Sequence, residues 1–181
     1  MRVARVAVLL VLALSSTACL VVSLQPVYEP ETIAFEPRLV GTWASDEDGV
    51  TLTVERAEWH SYHLALADDE KITRLSARLT RIGDLQLLDI TPLDGTDIEP
   101  FQLPVHGIFR VTLEADTLTV ANLDYDHFYA IASRGETGLA IDGRKNVVLS
   151  MPTADLRDWL QEHAGEAGLF SAPSVLKRKI G

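Results

Sequence analysis

The chain has 181 residues, with 16 Lys and Arg against 26 Asp and Glu for a formal charge of −10, and a single cysteine. Binding phosphate requires a basic face, so this balance argues against nucleic acid as a partner. One cysteine excludes an intramolecular disulfide, and an exported domain built from this chain must be held by its core.

Residues 1–18 combine a basic start at Arg2 and Arg5, an apolar run from Val6 to Leu14 and the small-residue stretch Ser15-Ser16-Thr17-Ala18. The apolar run is too short to cross a bilayer as a helix, and its order of regions is that of a secretory signal. Ser15-Ser16-Thr17-Ala18-Cys19 resembles the lipobox of bacterial lipoproteins, with Ser16 standing where Leu is commoner. That resemblance implies that Cys19 is acylated, becomes the first residue of the mature chain and joins it to a membrane. Leu20, rather than Asp, follows the cysteine, which in a cell with two membranes implies the outer one. Without the signal the chain keeps 14 basic and 26 acidic side chains, a net of −12, over 163 residues, enough for one domain.

Residues 19–38 carry Pro26, Pro30 and Pro37 with little periodicity, and read either as an extended tether or as a segment packed along the domain. The domain itself is expected over 39–170. It opens at Leu39-Val40-Gly41-Thr42-Trp43, and from there apolar residues recur with period two. Val50, Leu52 and Val54 form one such set, and Tyr62, Leu64 and Leu66 the next. Leu75, Ala77 and Leu79 lead through Gly83-Asp84 to Leu85–Ile90, a hairpin whose second strand shifts its apolar positions from Leu85 and Leu87 to Leu88 and Ile90. That shift implies a bulge or burial on both faces.

Val105, Phe109, Val111 and Leu113 alternate with polar residues before Ala115-Asp116 and a strand through Leu118 and Val120. Asp124-Tyr125-Asp126-His127 reads as a polar loop, and Gly135-Glu136-Thr137-Gly138 as a hairpin turn. Strand patterns resume at Leu139–Ile141 and Val147–Met151. One helix is predicted after Pro152, capped by Thr153 and ended by Gly165 or Gly168, with Leu156, Trp159, Leu160 and His163 on the face turned to the domain. Residues 171–181, with Lys177-Arg178-Lys179, read as a frayed basic tail.

About eight short strands with turns between them predict a mainly β protein. The expected architecture is an antiparallel β-barrel, whose closure removes exposed edges, with one C-terminal amphipathic helix; a β-sandwich is the alternative. Gly41-Thr42-Trp43 on the first strand, the strand run and the late helix resemble the lipocalin and calycin families. The resemblance implies that Gly41 and Trp43 close one barrel end, with Arg144 as the arginine covering the tryptophan. The chain is also similar to uncharacterised bacterial lipoproteins that open on Gly-Thr-Trp and end in an amphipathic helix.

No catalytic motif is evident. The only thiol is assigned to lipid, and no Gly-x-Ser-x-Gly elbow is present. Asp124, Asp126 and His127 match no zinc or calcium spacing, and His60 and His63, three apart on an expected strand, point to opposite faces. His106, on the polar face of its strand beside Arg110, reads as making solvent or loop contact rather than as catalytic. No cofactor or metal is expected. The sequence thus suggests a membrane-anchored, non-catalytic protein that binds an apolar small molecule or another envelope component. The alternative is an envelope hydrolase using a polar rim of His106, Asp124 and His127.

Overall fold

The structure, a computed structural model, describes residues 20–46, 49–68, 71–93 and 105–179. Cys19 lies outside the described residues. The alternating segments form β3 (Gly41–Ala44), β4 (Thr51–Arg56), β5 (Ser61–Ala67), β6 (Ile72–Ile82), β7 (Leu85–Pro92), β8 (Gly107–Glu114) and β9 (Thr117–Asn122). Each pairs antiparallel with the next along a meander from β3 to β7 and again through β8 to β9. The ring is closed by β12 (Ser174–Arg178), which pairs antiparallel with both β9 and β3. The result is a closed antiparallel barrel of 8 strands. The short β2 (Ile33–Ala34) pairs with β6 beyond the end of β5.

The identity of the eighth strand corrects the sequence reading. Leu139–Ile141 (β10) and Val147–Leu149 (β11) do pair, but outside the barrel, in a 3-stranded sheet with β1 (Val21–Ser23), which runs parallel to β11. The tail expected to fray supplies β12 instead. A gap between β3 and β9 would leave two rows of unpaired backbone groups, and β12 satisfies both while burying Leu176.

Among the described residues there are two α-helices, where one was expected. The first, α1 (Tyr125–Ser133), starts where a polar loop was expected, because the Asp124 carboxylate accepts from His127 N–H at 2.9 Å and so caps the helix. Gly135, with φ 77°, then ends α1 by donating its N–H to Ala132 rather than turning a hairpin. The second, α2 (Thr153–Glu162), begins at the expected place. Thr153 does not cap it: its hydroxyl donates to Pro26 O at 2.9 Å, joining α2 to the N-terminal segment. The helix stops at Glu162, before either glycine thought to end it.

Buried side chains form two layers separated by the barrel wall. The inner layer contains Trp43, Tyr62, Leu64, Leu79, Leu88, Val111, Leu118 and Leu176. In the outer layer, Phe128 of α1 and Leu156 and Leu160 of α2 pack with Leu85, Leu87, Ile108 and Ala121 from the barrel's exterior and with Val147 and Leu149. Leu87 belongs to one layer and Leu88 to the other, so burial on both faces explains the shifted pattern in β7, whose register with β6 runs without a bulge. Residues 20–38 pack along the domain. Val27 is wholly buried, and Arg157 of α2 donates to its carbonyl at 2.7 Å and to Arg81 O at 3.1 Å.

Candidate functional site: the barrel interior

One end of the barrel is closed. The 3-10 turn Pro37–Leu39 lies there, and Trp43 Nε1–H donates to Leu39 O at 2.9 Å. The Arg178 guanidinium lies 4.1 Å from the Trp43 ring centroid, donates from Nη1 to Val40 O at 3.1 Å, and reaches Arg38 O through Nη2. Gly41 has φ 141°, and a Cβ there would lie 2.5 Å from Arg178 Nη1, so the guanidinium occupies space that any other residue would fill. Gly41 and Trp43 therefore stand together at the closed end. The covering arginine is Arg178, from the closing strand. Arg144 sits in the turn after β10, where its N–H donates to Asp142.

Tyr62 strengthens the closure. Its hydroxyl accepts from Glu36 N–H at 2.7 Å, its ring stacks on Phe35 at 5.2 Å between centroids, and burial raises the pKa of its phenol. Outside, the Arg38 side chain and backbone N–H hydrogen-bond the Glu36 carboxylate and hold its pKa below the usual carboxylate range.

From this floor, among the described residues, the interior opens toward the other end as a cavity of about 220 Å³ walled by Leu64, Leu66, Leu75, Ile90, Phe109 and Val120, among others. Among the described residues, no charged side chain lines it, and its polar side chains are Tyr62, Thr91 and Asn122. Two of the three are satisfied by the protein: Tyr62 as above, and Asn122 by donating to Leu123 O at 2.9 Å and accepting from Ser171 Oγ at 2.7 Å. Such a wall selects by apolarity and shape. At the open end the lining continues through Pro92, Val105 and Gly107 to Leu20, Val21 and Val22.

The other candidate residues are distributed among separate contacts. His106 does not face solvent: its Nδ1 lies 2.6 Å from the carboxylate of Asp89, which is 2% exposed and also accepts from Val27 N–H at 2.8 Å. This pair ties β7 and the start of β8 to the N-terminal segment. The lone Asp in Leu87-Leu88-Asp89-Ile90 was the sequence signal for it. Asp124 is engaged as the α1 cap, and His127 Nε2, buried without a hydrogen-bond partner, lies 3.8 Å from Glu166. Trp159 packs against the outer layer and stacks on His163 at 4.1 Å, and the His163 ring N–H donates to the Trp159 carbonyl at 2.7 Å.

His60 lies in the β4–β5 turn rather than on a strand. With Trp59 it adopts a left-handed backbone, at φ 59° and 55°. His63 is exposed on β5. Among the described residues, no three His, Cys, Asp or Glu side chains are placed to hold a metal ion together. No protein-family model, curated protein or solved structure matches the chain.

Proposed function

We propose that the protein is a lipid-anchored envelope protein, joined to the membrane through acylated Cys19, whose barrel carries an apolar small molecule without transforming it. The observation that supports this most is the interior itself: a closed barrel with a cavity that, among the described residues, is apolar, uncharged and open toward one end. An eight-stranded barrel either fills with side chains or retains room for one small ligand, and this one retains room. In a cell with two membranes, Leu20 after the cysteine directs the protein to the outer one.

Native mass spectrometry of the chain purified from its membrane tests the carrier reading. A co-purifying apolar molecule is the expected result; a barrel that emerges empty and remains so when incubated with fatty acids and sterols redirects attention to a protein contact. The anchor is tested separately by metabolic labelling with a fatty acid, which should mark the wild type and leave Cys19→Ser unmarked. Equal label in both defeats it.

A further inference from the structure

We infer that the barrel is held with its open end against the bilayer, and that its occupant is a single acyl chain drawn from that same leaflet. The inference rests on acylation of Cys19. If residues 20–38 were a free tether, an anchored domain would turn in any direction. They are not free. Leu20 N–H donates to Asn146 Oδ1 at 3.1 Å, and Leu20 O accepts from Val147 N–H at 2.7 Å. Val21–Ser23 then run along β11, and Ser23 exchanges two backbone hydrogen bonds with His106. Residues 20–22 line the cavity. Consecutive Cα atoms are about 3.8 Å apart, so a chain leaving the bilayer at residue 19 enters the domain at the rim of the cavity with no slack.

The surface around this end agrees. Ile72 starts β6 three residues beyond the lining residue Leu75, about 10 Å farther toward the open end, and is 56% exposed. Ile141, also exposed, is paired with Val147, whose N–H bonds to Leu20. The opposite end carries the β4–β5 turn with Trp59. Cavity size narrows the occupant. Apolar cavities of about 150 Å³ take up benzene, whereas pockets for drug-sized molecules start at roughly 300 Å³. About 220 Å³ suits a length of hydrocarbon chain rather than a bulky ring system. With no charged group among the described residues of the wall, a polar head is expected to remain at the mouth, where Thr91 and the lipid headgroups are.

The test uses the full chain, acylated in the cell and reconstituted in vesicles of phosphatidylethanolamine and phosphatidylglycerol. Acylation consumes the native thiol, so Ile72→Cys and Trp59→Cys each offer one site for a nitroxide label. The label at 72 should collide with oxygen dissolved in the bilayer and be shielded from a water-soluble nickel chelate, and the label at 59 should show the reverse. Equal exposure to nickel at both sites, in vesicles that retain the protein on flotation, overturns the orientation and leaves the anchor standing. Protein lost from the floated vesicles removes the anchor and this proposal with it.

Deuterated palmitic acid in the same vesicles should appear as an adduct in the native mass spectrum and be reduced in Leu75→Phe, which fills the cavity, while the label pattern stays unchanged. An undiminished adduct in that variant places the fatty acid elsewhere and overturns the occupant. A sterol-loaded barrel that refuses palmitate would overturn the acyl chain but keep the carrier reading.

Discussion

The β4–β5 wall shows one face to the interior and the other to water, whereas β7–β9 are covered on both. On the first wall Leu52, Val54, Leu64 and Leu66 are buried while Thr51, Thr53, His63 and Ala65 lie on the outer face. On the second, Leu88, Val111 and Val120 point inward, and Leu87, Ile108 and Ala121 point out into the layer formed with α1, α2 and the small sheet. The difference teaches where each function of the fold is lodged. Both walls line the space available to a ligand, and the thin wall does nothing else. The thick wall carries the aromatic packing, the helices and the connection to the N-terminus.

The sharpest way to break that comparison is to empty each layer in turn. Trp43 is wholly buried at the closed end and Phe128 wholly buried in the outer layer, so Trp43→Ala and Phe128→Ala should each lower stability by about 3–5 kcal/mol. Because the layers share β7–β9, both variants should still unfold in one transition, with the midpoint shifted, when followed by near- and far-ultraviolet dichroism. Two separated transitions in the Phe128 variant would show that the outer layer is an independent unit resting on the barrel.

A smaller loss is expected from the link between the thick wall and the N-terminal segment. Arg157 donates to Val27 O, Thr80 Oγ1 and Arg81 O from a side chain only 15% exposed. Arg157→Ala should cost about 1.5–3 kcal/mol, as hydrogen bonds from a charged donor do. Hydrogen exchange should show the loss concentrated near Val27. An unchanged urea midpoint would mean that apolar contacts alone hold residues 20–38 in place.

The same comparison explains what the sequence could reveal. Strands with one wet face announce themselves by alternation, and β4, β5 and β6 were legible for that reason; β8 and β9, covered outside only at Ile108 and Ala121, kept enough polar outer positions at Arg110, Thr112 and Thr119 to be legible too. β7 lost its alternation because both faces are dry, and the shift from Leu87 to Leu88 was the trace it left. α1 was read as a loop because its first turn is polar, although Asp124 as cap with Phe128 and Ile131 buried is a helical pattern in retrospect. β12 was hidden by its composition: one buried residue, Leu176, among exposed or half-buried neighbours, with its place set by the unpaired edges of β3 and β9. Substituting Arg178 for Arg144 over Trp43 follows from the same oversight. The cavity was not legible at all, since residues that fill a barrel and residues that line one are the same apolar types.

The missed helix gives a prediction of its own. Removing the carboxylate that receives His127 N–H in Asp124→Ala should cost about 1 kcal/mol, and Asp124→Ser should restore most of it. Thermal melts of the two variants check the claim. If serine fails to rescue, the aspartate acts by something other than capping.

The smallest effect is expected at the rim of the closed end, where Glu36 and Arg38 stiffen the turn under Trp43. Arg38 contributes hydrogen bonds from Nε, Nη2 and its backbone N–H, which lower the folded-state pKa of Glu36 below its ordinary value of 4.5. A carboxylate whose pKa is lower in the folded state stabilises the fold above the unfolded value, and that contribution is lost as pH falls through the folded one. The pair is open to solvent on the Arg38 side, whose side chain is 63% exposed, so its contribution is small and is screened by salt. Arg38→Gln should therefore lower the urea midpoint slightly at pH 7, and the difference from wild type should vanish once acidification has passed through the lowered folded-state pKa of Glu36. A deficit that persists unchanged in acid would show that Arg38 acts through the packing of its stem against the turn rather than through its charge.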